Sequence, residues 1–306
     1  MSYLQAIIIG IIQGITELFP VSSLGHSVLV PALIGGRWEN LVTQSSANNS
    51  EASPYLAFIV ALHVATALVL LFIFRSTWIR IIEGFFVSIR RRRIETSAER
   101  LAWLIVIATV PVGITGLLFE HTFRTVFAKP LAAAIFLTIN GLVLAGGELL
   151  RRRADTRHRI ARSADLASGG VQAAVVPGHL TVDAVRPRDA ALIGVFQTLA
   201  LFAGISRSGI TMVGGLVAGL DHEDAARFSF LLATPVILAA GLLKLPTLAG
   251  DAGASIRGQV VVGSIAAAVA AYLSTKFLLR FFETRTLTPF AIYSLVVGTV
   301  CIVRFA

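Results

Sequence analysis

Midway through the apolar stretch 4–34, the chain carries a run of polar and helix-breaking residues, Gln13-Gly-Ile-Thr-Glu17-Leu-Phe-Pro20-Val-Ser22-Ser23-Leu-Gly-His26. The stretch is long and apolar enough to cross a membrane, which takes about 20 residues. Its central proline and serines nevertheless end one helix and start another. Irregular backbone at membrane depth survives only where protein or a wet cavity satisfies its polar groups. We therefore predict a broken, re-entrant helix pair over 4–34.

A second apolar stretch, 190–220, is broken in the same way by Gly204-Ile-Ser206-Arg207-Ser208-Gly209-Ile-Thr211. Superimposing Ser22 on Ser206 also places Gln13 on Gln197, and Gly25 on Gly209. The matches continue through both breaks, which favours a duplicated unit. We predict a second re-entrant pair over 190–220.

The composition is that of a membrane protein. Of the 306 residues, 56% are hydrophobic and 14% are charged, whereas about a quarter of the residues of a soluble domain are charged. The sequence therefore predicts an all-α integral membrane protein with two re-entrant helix pairs and six transmembrane helices. The six segments with about the required length and apolarity are 56–74, 102–119, 131–150, 226–248, 259–282 and 288–305.

Arginine is concentrated in two connections, 75–101 and 151–189. Cytoplasmic loops are enriched in Lys and Arg, so both connections are expected on the cytoplasmic side of a cell inner membrane. The two re-entrant pairs then enter from opposite sides, which predicts a single membrane domain built as an inverted-topology repeat. The first repeat covers 1–150 and the second 190–306, and 151–189 is predicted to be a flexible basic loop between them.

Other classes of protein are disfavoured. The formal net charge is +9, but the arginines lie in blocks between apolar segments and no nucleic-acid-binding module accompanies them. Membrane lipids, and not a nucleic acid, are therefore the expected partners. The single cysteine, Cys301, excludes an internal disulfide framework.

The first break can assemble a polar site. Gln13 and Glu17 are four residues apart and share a helix face. Ser22 and Ser23 can cap the next helix, and His26 lies one turn inside it. The spacing therefore allows the carboxylate, the hydroxyls and the imidazole to converge.

The second break has the features of an anion site. Ser206 can cap a helix whose first turn contains Arg207, Ser208 and Thr211. Helix N-termini favour negative charge, and an arginine fork suits phosphate oxygens. Because inverted repeats bring such breaks together near the midplane, the combined site suits phosphoryl transfer to or from a substrate with a phosphate head and an apolar tail.

Several polar residues also have a purely structural interpretation. Glu17 and Arg207 could neutralise each other, although ionisable residues inside a membrane are expensive and point to function. We interpret His63, in the span 56–74, as a packing residue. The segment from Asp221 to Asp224 is typical of a helix start. We interpret Glu148 as a residue at the membrane interface.

At these motifs the chain resembles the undecaprenyl-diphosphate phosphatase family, the membrane enzymes associated with bacitracin resistance. Gln13 to Glu17 is similar to that family's (E/Q)xxxE motif, and the stretch from Pro20 to His26 to its serine–histidine segment. The stretch from Ala203 to Thr211 is similar to PGxSRSxxT, with alanine in place of the first proline. The resemblance covers nearly the whole chain.

The resemblance implies hydrolysis of the C55 isoprenyl diphosphate carrier to its monophosphate, which returns the carrier to cell-wall synthesis. It also implies a divalent cation, Mg²⁺ or Ca²⁺, with Glu17 as its candidate ligand, and a site that opens to the extracytoplasmic side. The active-site residues carried over from the family motifs are Glu17, Ser23, His26, Arg207 and Thr211. Departures from the family pattern at Ile59, Ala65 and Ser294 leave substrate preference and metal use open.

The hypothesis is thus a membrane phosphatase, able to form a homodimer. Ser23 is its expected nucleophile and His26, oriented by Glu17, its base; direct attack by water or by His26 itself stays open. The remaining predicted phosphate-binding residues are Gln13, Ser22, Ser206, Ser208 and Thr211. The main alternative is a transporter of polyprenyl phosphates that uses the same anion site, because broken helices in an inverted repeat are also a transporter architecture.

Overall fold

The computed structural model describes residues 1–41, 54–126, 129–167, 185–249 and 255–306. Within these ranges the long regular elements are helices. A 3₁₀ turn, Thr198–Leu201, directly follows the helix that ends at Gln197. The α-helices are α1 Tyr3–Thr16, α2 Ser23–Ile34, α3 Pro54–Ile73, α4 Arg75–Arg91, α5 Ser97–Val126, α6 Pro130–Ala167, α7 Pro187–Gln197, α8 Arg207–Val217, α9 His222–Ala249, α10 Arg257–Phe282 and α11 Thr288–Phe305.

Six of these helices contain a segment that is long and apolar enough to cross a membrane. The predicted all-α membrane fold with six spans is confirmed. Each predicted span lies inside or within a residue of an observed one, except 226–248, which extends five residues beyond Leu243. The spanning segments are Pro54–Ile73, Ser97–Phe119, Pro130–Thr156, His222–Leu243, Arg257–Phe282 and Thr288–Phe305.

Both broken stretches fold as two short helices with an irregular segment between them. The first consists of α1 and α2, and the second of α7, the 3₁₀ turn and α8. Ser22 and Ser206 are the N-cap residues of α2 and α8, and each hydroxyl accepts a hydrogen bond from a backbone N–H three residues later. That each pair re-enters the membrane from one side stays a prediction.

The two halves use their helices in corresponding ways. Helix α1 packs along α10 of the second half, and its counterpart α7 packs along α5 of the first. Both contacts are close because a glycine lies in each: a Cβ on Gly14 would come within 2.7 Å of the Ala270 Cβ, and one on Gly194 within 2.6 Å of the Ala108 carbonyl oxygen. Small residues allow membrane helices to approach in this way. The exchange of partners is what a repeat would produce, while the inverted orientation of the halves stays a prediction.

The arginine-rich connections contain more helix than the sequence suggested. The connection 75–101 contains the amphipathic helix α4. The prediction of a flexible loop from residue 151 was wrong in its first part, because α6 continues to Ala167. Ion pairs one helical turn apart help to extend α6, with Glu148–Arg152 at 3.2 Å and Arg151–Asp155 at 3.5 Å. Residues 168–184 of that loop lie outside the described residues, and its last three residues, 187–189, belong to α7.

Two minor interpretations can also be compared with the structure. Asp221 caps α9, since its carboxylate accepts a 2.7 Å hydrogen bond from the Asp224 N–H. Glu148 is 5% exposed, and besides Arg152 it binds His222 Nε2 at 2.9 Å. This carboxylate therefore joins α6 to the start of α9.

We predict that Gly14→Ala destabilises the protein, because the added methyl group collides with the α10 backbone and with Ala270. Overpacking of this kind costs about 1–3 kcal/mol. The matched control is Gly113→Ala in α5, where a Cβ meets nothing within 4 Å and the helix gains alanine's better propensity. Thermal unfolding in detergent should show a lower midpoint for Gly14→Ala only. Equal midpoints for the two variants would contradict the close α1–α10 packing.

Candidate active site

A single serine joins the two helix breaks. The Ser22 hydroxyl accepts a hydrogen bond from the Gly25 N–H at 3.2 Å, which caps α2, and another from the Gly204 N–H at 3.1 Å. Ser22 holds a positive φ of 70°, a backbone conformation that costs a non-glycine residue of order 1–3 kcal/mol and persists only where its surroundings impose it. A Cβ on Gly25 would lie 2.9 Å from the Gly204 Cα, so the contact between the breaks also requires glycine.

Asn140 on α6 makes a second bridge between the breaks. Its Nδ2 donates to the Pro20 carbonyl at 3.0 Å, and its Oδ1 accepts from the Ser206 N–H at 3.0 Å. The side chain is fully buried. Sequence reasoning missed this residue, although a lone amide inside a spanning helix is a signal for interhelical hydrogen bonding.

The charged centre of the site is the carboxylate of Glu17, which is 7% exposed. Arg207 Nη2 donates to Glu17 Oε1, and the Ser23 hydroxyl donates to Oε2. Gln13 Nε2 donates to Oε2 at 3.0 Å. The structure therefore brings together four of the residues that the two motifs nominated, and holds one carboxylate by a guanidinium, a hydroxyl and an amide.

His63, interpreted from the sequence as a packing residue, faces this centre. Its Nε2 lies 3.1 Å from Glu17 Oε2 and 3.5 Å from the Ser23 Oγ. Its Nδ1 lies 2.8 Å from the Ile59 carbonyl oxygen; because a carbonyl only accepts, Nδ1 carries the hydrogen there. Nε2 is then the nitrogen that can exchange a proton with Glu17 or Ser23. The signal for this role was an ionisable side chain within a spanning helix.

His26 lies elsewhere, and the expected contact between Glu17, His26 and Ser23 does not form. Its Nδ1 donates to the Ser22 carbonyl at 2.7 Å, and its Nε2 lies 2.8 Å from the Tyr293 hydroxyl. The two rings stack with centroids 5.7 Å apart. Residues three apart are neighbours on a helix, but the His26 ring is turned to the Ser22 carbonyl and to Tyr293 on α11 and makes no hydrogen bond to the Ser23 hydroxyl.

A cavity of about 260 Å³ opens beside the carboxylate. This is just under the range of roughly 300–1,000 Å³ found for pockets that hold drug-sized ligands, so it suits the head group of a lipid and not its tail. Arg207 Nη1 is buried without a hydrogen-bond partner among the described groups, and is therefore the free donor of the site. The polar residues lining the cavity are Thr16, Glu17, Ser22, Ser23, His63, Gln197, Ser206 and Arg207.

Three of the predicted phosphate-binding residues are absent from this lining and bind protein groups. The Ser208 hydroxyl contacts the Ser206 hydroxyl at 2.9 Å. The Thr211 hydroxyl donates to Ser229 at 2.6 Å. Gln13 supports Glu17 from α1. All three side chains are buried, and their hydrogen bonds are to protein groups; their predicted phosphate binding stays a prediction.

The described residues contain no group of three or more His, Cys, Asp or Glu side chains that could hold a metal ion. Glu17 is the one carboxylate at the cavity, and it is already bound by Arg207, Ser23, Gln13 and His63. A metal cage made by protein groups alone therefore does not fit these residues. Mg²⁺, however, is commonly bound by one or two carboxylates together with substrate phosphates.

Six apolar helices around a buried centre of carboxylate, guanidinium, hydroxyl and imidazole define a polytopic membrane protein with an enzyme-like site. Residues 6–300 match the family model described as bacitracin resistance protein BacA. The chain belongs to this family.

Named relatives match the chain over nearly its whole length. Undecaprenyl-diphosphatase 2 of Frankia alni is 62% identical over 100% of this chain and 98% of the relative. Undecaprenyl-diphosphatase of Mycolicibacterium paratuberculosis is 55% identical over the same shares. Undecaprenyl-diphosphatase of Gluconobacter oxydans is 40% identical over 97% of both chains.

We predict that Asn140→Ala lowers the thermal unfolding midpoint of the protein. The substitution leaves the buried Ser206 N–H without its acceptor and the Pro20 carbonyl without its donor. An unsatisfied buried group costs about 1–3 kcal/mol. Thr66→Val in α3 is the matched control, because its buried hydroxyl bonds only to Leu62 of its own helix. An Asn140→Ala midpoint as high as that of the control would show that Asn140 does not join the breaks.

Proposed function

We propose that the chain hydrolyses undecaprenyl diphosphate to undecaprenyl monophosphate and inorganic phosphate, which recycles the lipid carrier for cell-wall glycan synthesis. The observation that carries this conclusion is the position of the Ser23 hydroxyl, between the Glu17 carboxylate and the cavity where Arg207 Nη1 has no partner. The names of the full-length relatives support the substrate. They also disfavour the alternative of a polyprenyl-phosphate transporter.

The diphosphate is held by positive charge and by backbone donors. Arg207 lies at the start of α8 and Ser23 at the start of α2, so two helix N-termini face the cavity. The first N–H groups of a helix have no intrahelical acceptor, and the helix dipole favours an anion there. Arg207 contributes its free Nη1 to a phosphate oxygen. These donors neutralise charge on the equatorial oxygens of the transferred phosphoryl group.

Ser23 is the proposed nucleophile. Its Oγ forms a bond to the terminal phosphorus while its proton passes to Glu17, to which it already donates. The bond from that phosphorus to the bridging oxygen breaks, and undecaprenyl monophosphate leaves. Water then attacks the phosphoserine, inorganic phosphate is released, and the proton returns to Ser23. His63 Nε2, close to both Glu17 and Ser23, takes the part expected for His26: it accepts the proton from Glu17 and returns it to Ser23 in the second step.

A divalent cation, Mg²⁺ or Ca²⁺, is proposed to arrive with the substrate. Glu17 is the protein group that would hold it, with phosphate oxygens and water as the other ligands. When bound, the cation would neutralise diphosphate charge. Every proton transfer assigned above uses protein groups alone.

The protein is a multi-pass membrane protein, and its orientation is part of the proposal. We place it in the cell inner membrane with the arginine-rich connections in the cytoplasm, as the positive-inside rule favours. The site then opens to the extracytoplasmic side. A homodimer stays a prediction.

The proposal is tested by measuring phosphate release from C15 or C55 isoprenyl diphosphate with the purified protein in detergent. Wild-type protein should release phosphate, and EDTA should reduce the rate if a cation arrives with the substrate. Glu17→Ala should be inactive. Arg207→Lys should lose most activity because an ammonium cannot reproduce the guanidinium fork. Lipid binding without phosphate release in folded wild-type protein, under either metal, would reject the phosphatase and favour the transporter.

We predict that Ser23→Ala abolishes turnover while lipid binding survives, because the hydroxyl is the attacking group and Arg207 remains. Ser27→Ala is the matched control: this serine lies one turn later in α2, and its hydroxyl donates to the Ser23 carbonyl at 3.0 Å. Acid quenching of wild-type turnover should also trap a phosphoserine detectable by mass spectrometry. Near-normal turnover in Ser23→Ala would leave water as the nucleophile.

We predict that His63→Ala lowers kcat by about 10²–10⁴-fold, the usual contribution of general acid–base catalysis. Added imidazole should restore part of the rate by occupying the space left by the side chain, a response that a purely structural role would not give. Tyr293→Phe removes the hydroxyl that bonds to the other histidine, His26, and should change kcat little. A kcat close to that of the wild type in His63→Ala would show that His63 is not needed for proton transfer and would leave Glu17 as the only base.

A further inference from the structure

Helix α4 has one face fixed to the protein. Its Gly84 lies so close to α5 that a Cβ there would be 2.9 Å from the Glu99 backbone nitrogen. The Ser88 hydroxyl accepts a 3.0 Å hydrogen bond from Trp103 Nε1 of α5. Ile81 is 4% exposed on the same face. These contacts hold α4 against α5 in one orientation.

The adjoining face of α4 is apolar and uncovered. Its residues recur every three or four positions, which places them on one stripe of the helix. Each is about half exposed or more, and the largest, Phe86, is 65% exposed. The stripe consists of Ile79, Ile82, Phe86 and Ile89.

Positive charge surrounds this stripe. Six exposed arginines lie on or just after α4, against two glutamates, Glu83 and Glu95. Within the described residues, Arg91 pairs with Glu95 at 3.5 Å, whereas the other arginines contact no carboxylate. The six are Arg75, Arg80, Arg90, Arg91, Arg92 and Arg93.

The position of α4 in the chain keeps it at the membrane boundary. The spanning segment of α3 ends at Ile73, and α4 begins at Arg75. A helix that starts two residues after a span cannot move far from the membrane surface. An amphipathic helix with a basic polar face and aromatic or aliphatic residues opposite is typical of segments that lie in the interface.

We propose that α4 is a docking surface for anionic phospholipids, with its apolar stripe at the boundary between headgroups and acyl chains and its arginines on the lipid phosphates. The cytoplasmic leaflet carries negative surface potential that attracts such basic segments, in agreement with the orientation given above. A second copy of the chain is a poorer occupant. A two-fold interface places the same surface on both partners, so the arginines of two α4 helices would face one another.

A fluorescent label on α4 tests the proposal in the full-length protein. Cys301 is the only cysteine and is buried, so the Cys301→Ala variant has no cysteine to react with the label. A single new cysteine is then added to that variant. It is placed either on the apolar stripe (Phe86→Cys) or on the polar side of α4 (Ser76→Cys). The labelled protein is placed in vesicles of phosphatidylcholine and phosphatidylglycerol at equal amounts, with a nitroxide on the acyl chain of one lipid or the other. The label at residue 86 should be quenched strongly, more by phosphatidylglycerol than by phosphatidylcholine, and the label at residue 76 weakly.

Charge variants identify the cause of that preference. One variant carries glutamine in place of Arg80, Arg90, Arg92 and Arg93. Quenching by the two lipids should become equal in this variant, since each basic residue near an anionic surface raises the affinity for that surface about fivefold. Replacing the same four by lysine keeps the charge and should keep the preference.

Equal quenching by both lipids in the parent protein would overturn the proposal. Absence of quenching by either would show that protein covers the stripe, and concentration-dependent self-quenching would identify a second copy. Lipid quenching is measured independently of phosphate release, so the docking proposal can be rejected without rejecting the proposed reaction, and the reverse.

Discussion

The ion pair between Glu17 and Arg207 imposes the arrangement on which the rest of the site depends. Both side chains are largely shielded from solvent, and an isolated charge in an apolar interior is too costly to keep. The two charges come from different helix breaks, more than half the chain apart. They can neutralise each other only if the breaks meet. The shared hydroxyl of Ser22 and the amide of Asn140 satisfy the backbone groups that such a meeting leaves exposed.

This constraint also prepares the site for chemistry. A buried pair is weak evidence for stability, because desolvation offsets much of the attraction. Here the pair leaves one arginine nitrogen without a partner and directs it to a cavity next to a hydroxyl. A phosphate entering the cavity can share Arg207 with Glu17, so the carboxylate is freed to accept a proton as the anion is bound. The framework that keeps the charges paired thus also positions the groups proposed to react.

The two histidines show how a sequence motif and a site can differ. His26 belongs to the motif and is close to Ser23 along the chain, yet its ring points to Tyr293 on α11. His63 belongs to no motif at the break, yet α3 carries it to Glu17. A spacing of three residues places two side chains on neighbouring parts of one helix face. The groups around each side chain then decide which way it turns, and a side chain from another helix can take the position that the motif suggested. A motif alone therefore does not show which of its members converge.

The six spans, the two breaks and the caps at Ser22 and Ser206 followed from the sequence, because hydropathy, proline and serine act locally and the membrane leaves few alternatives. The meeting of Glu17, Ser23 and Arg207 was also predictable, since unpaired charge at membrane depth needs a partner. Tertiary structure decided the positions of Asn140 and His63, the burial of Ser208 and Thr211 against protein groups, and the docking of α4 on α5. Spacing along one helix shows which residues share a face, but packing between helices determines what that face meets.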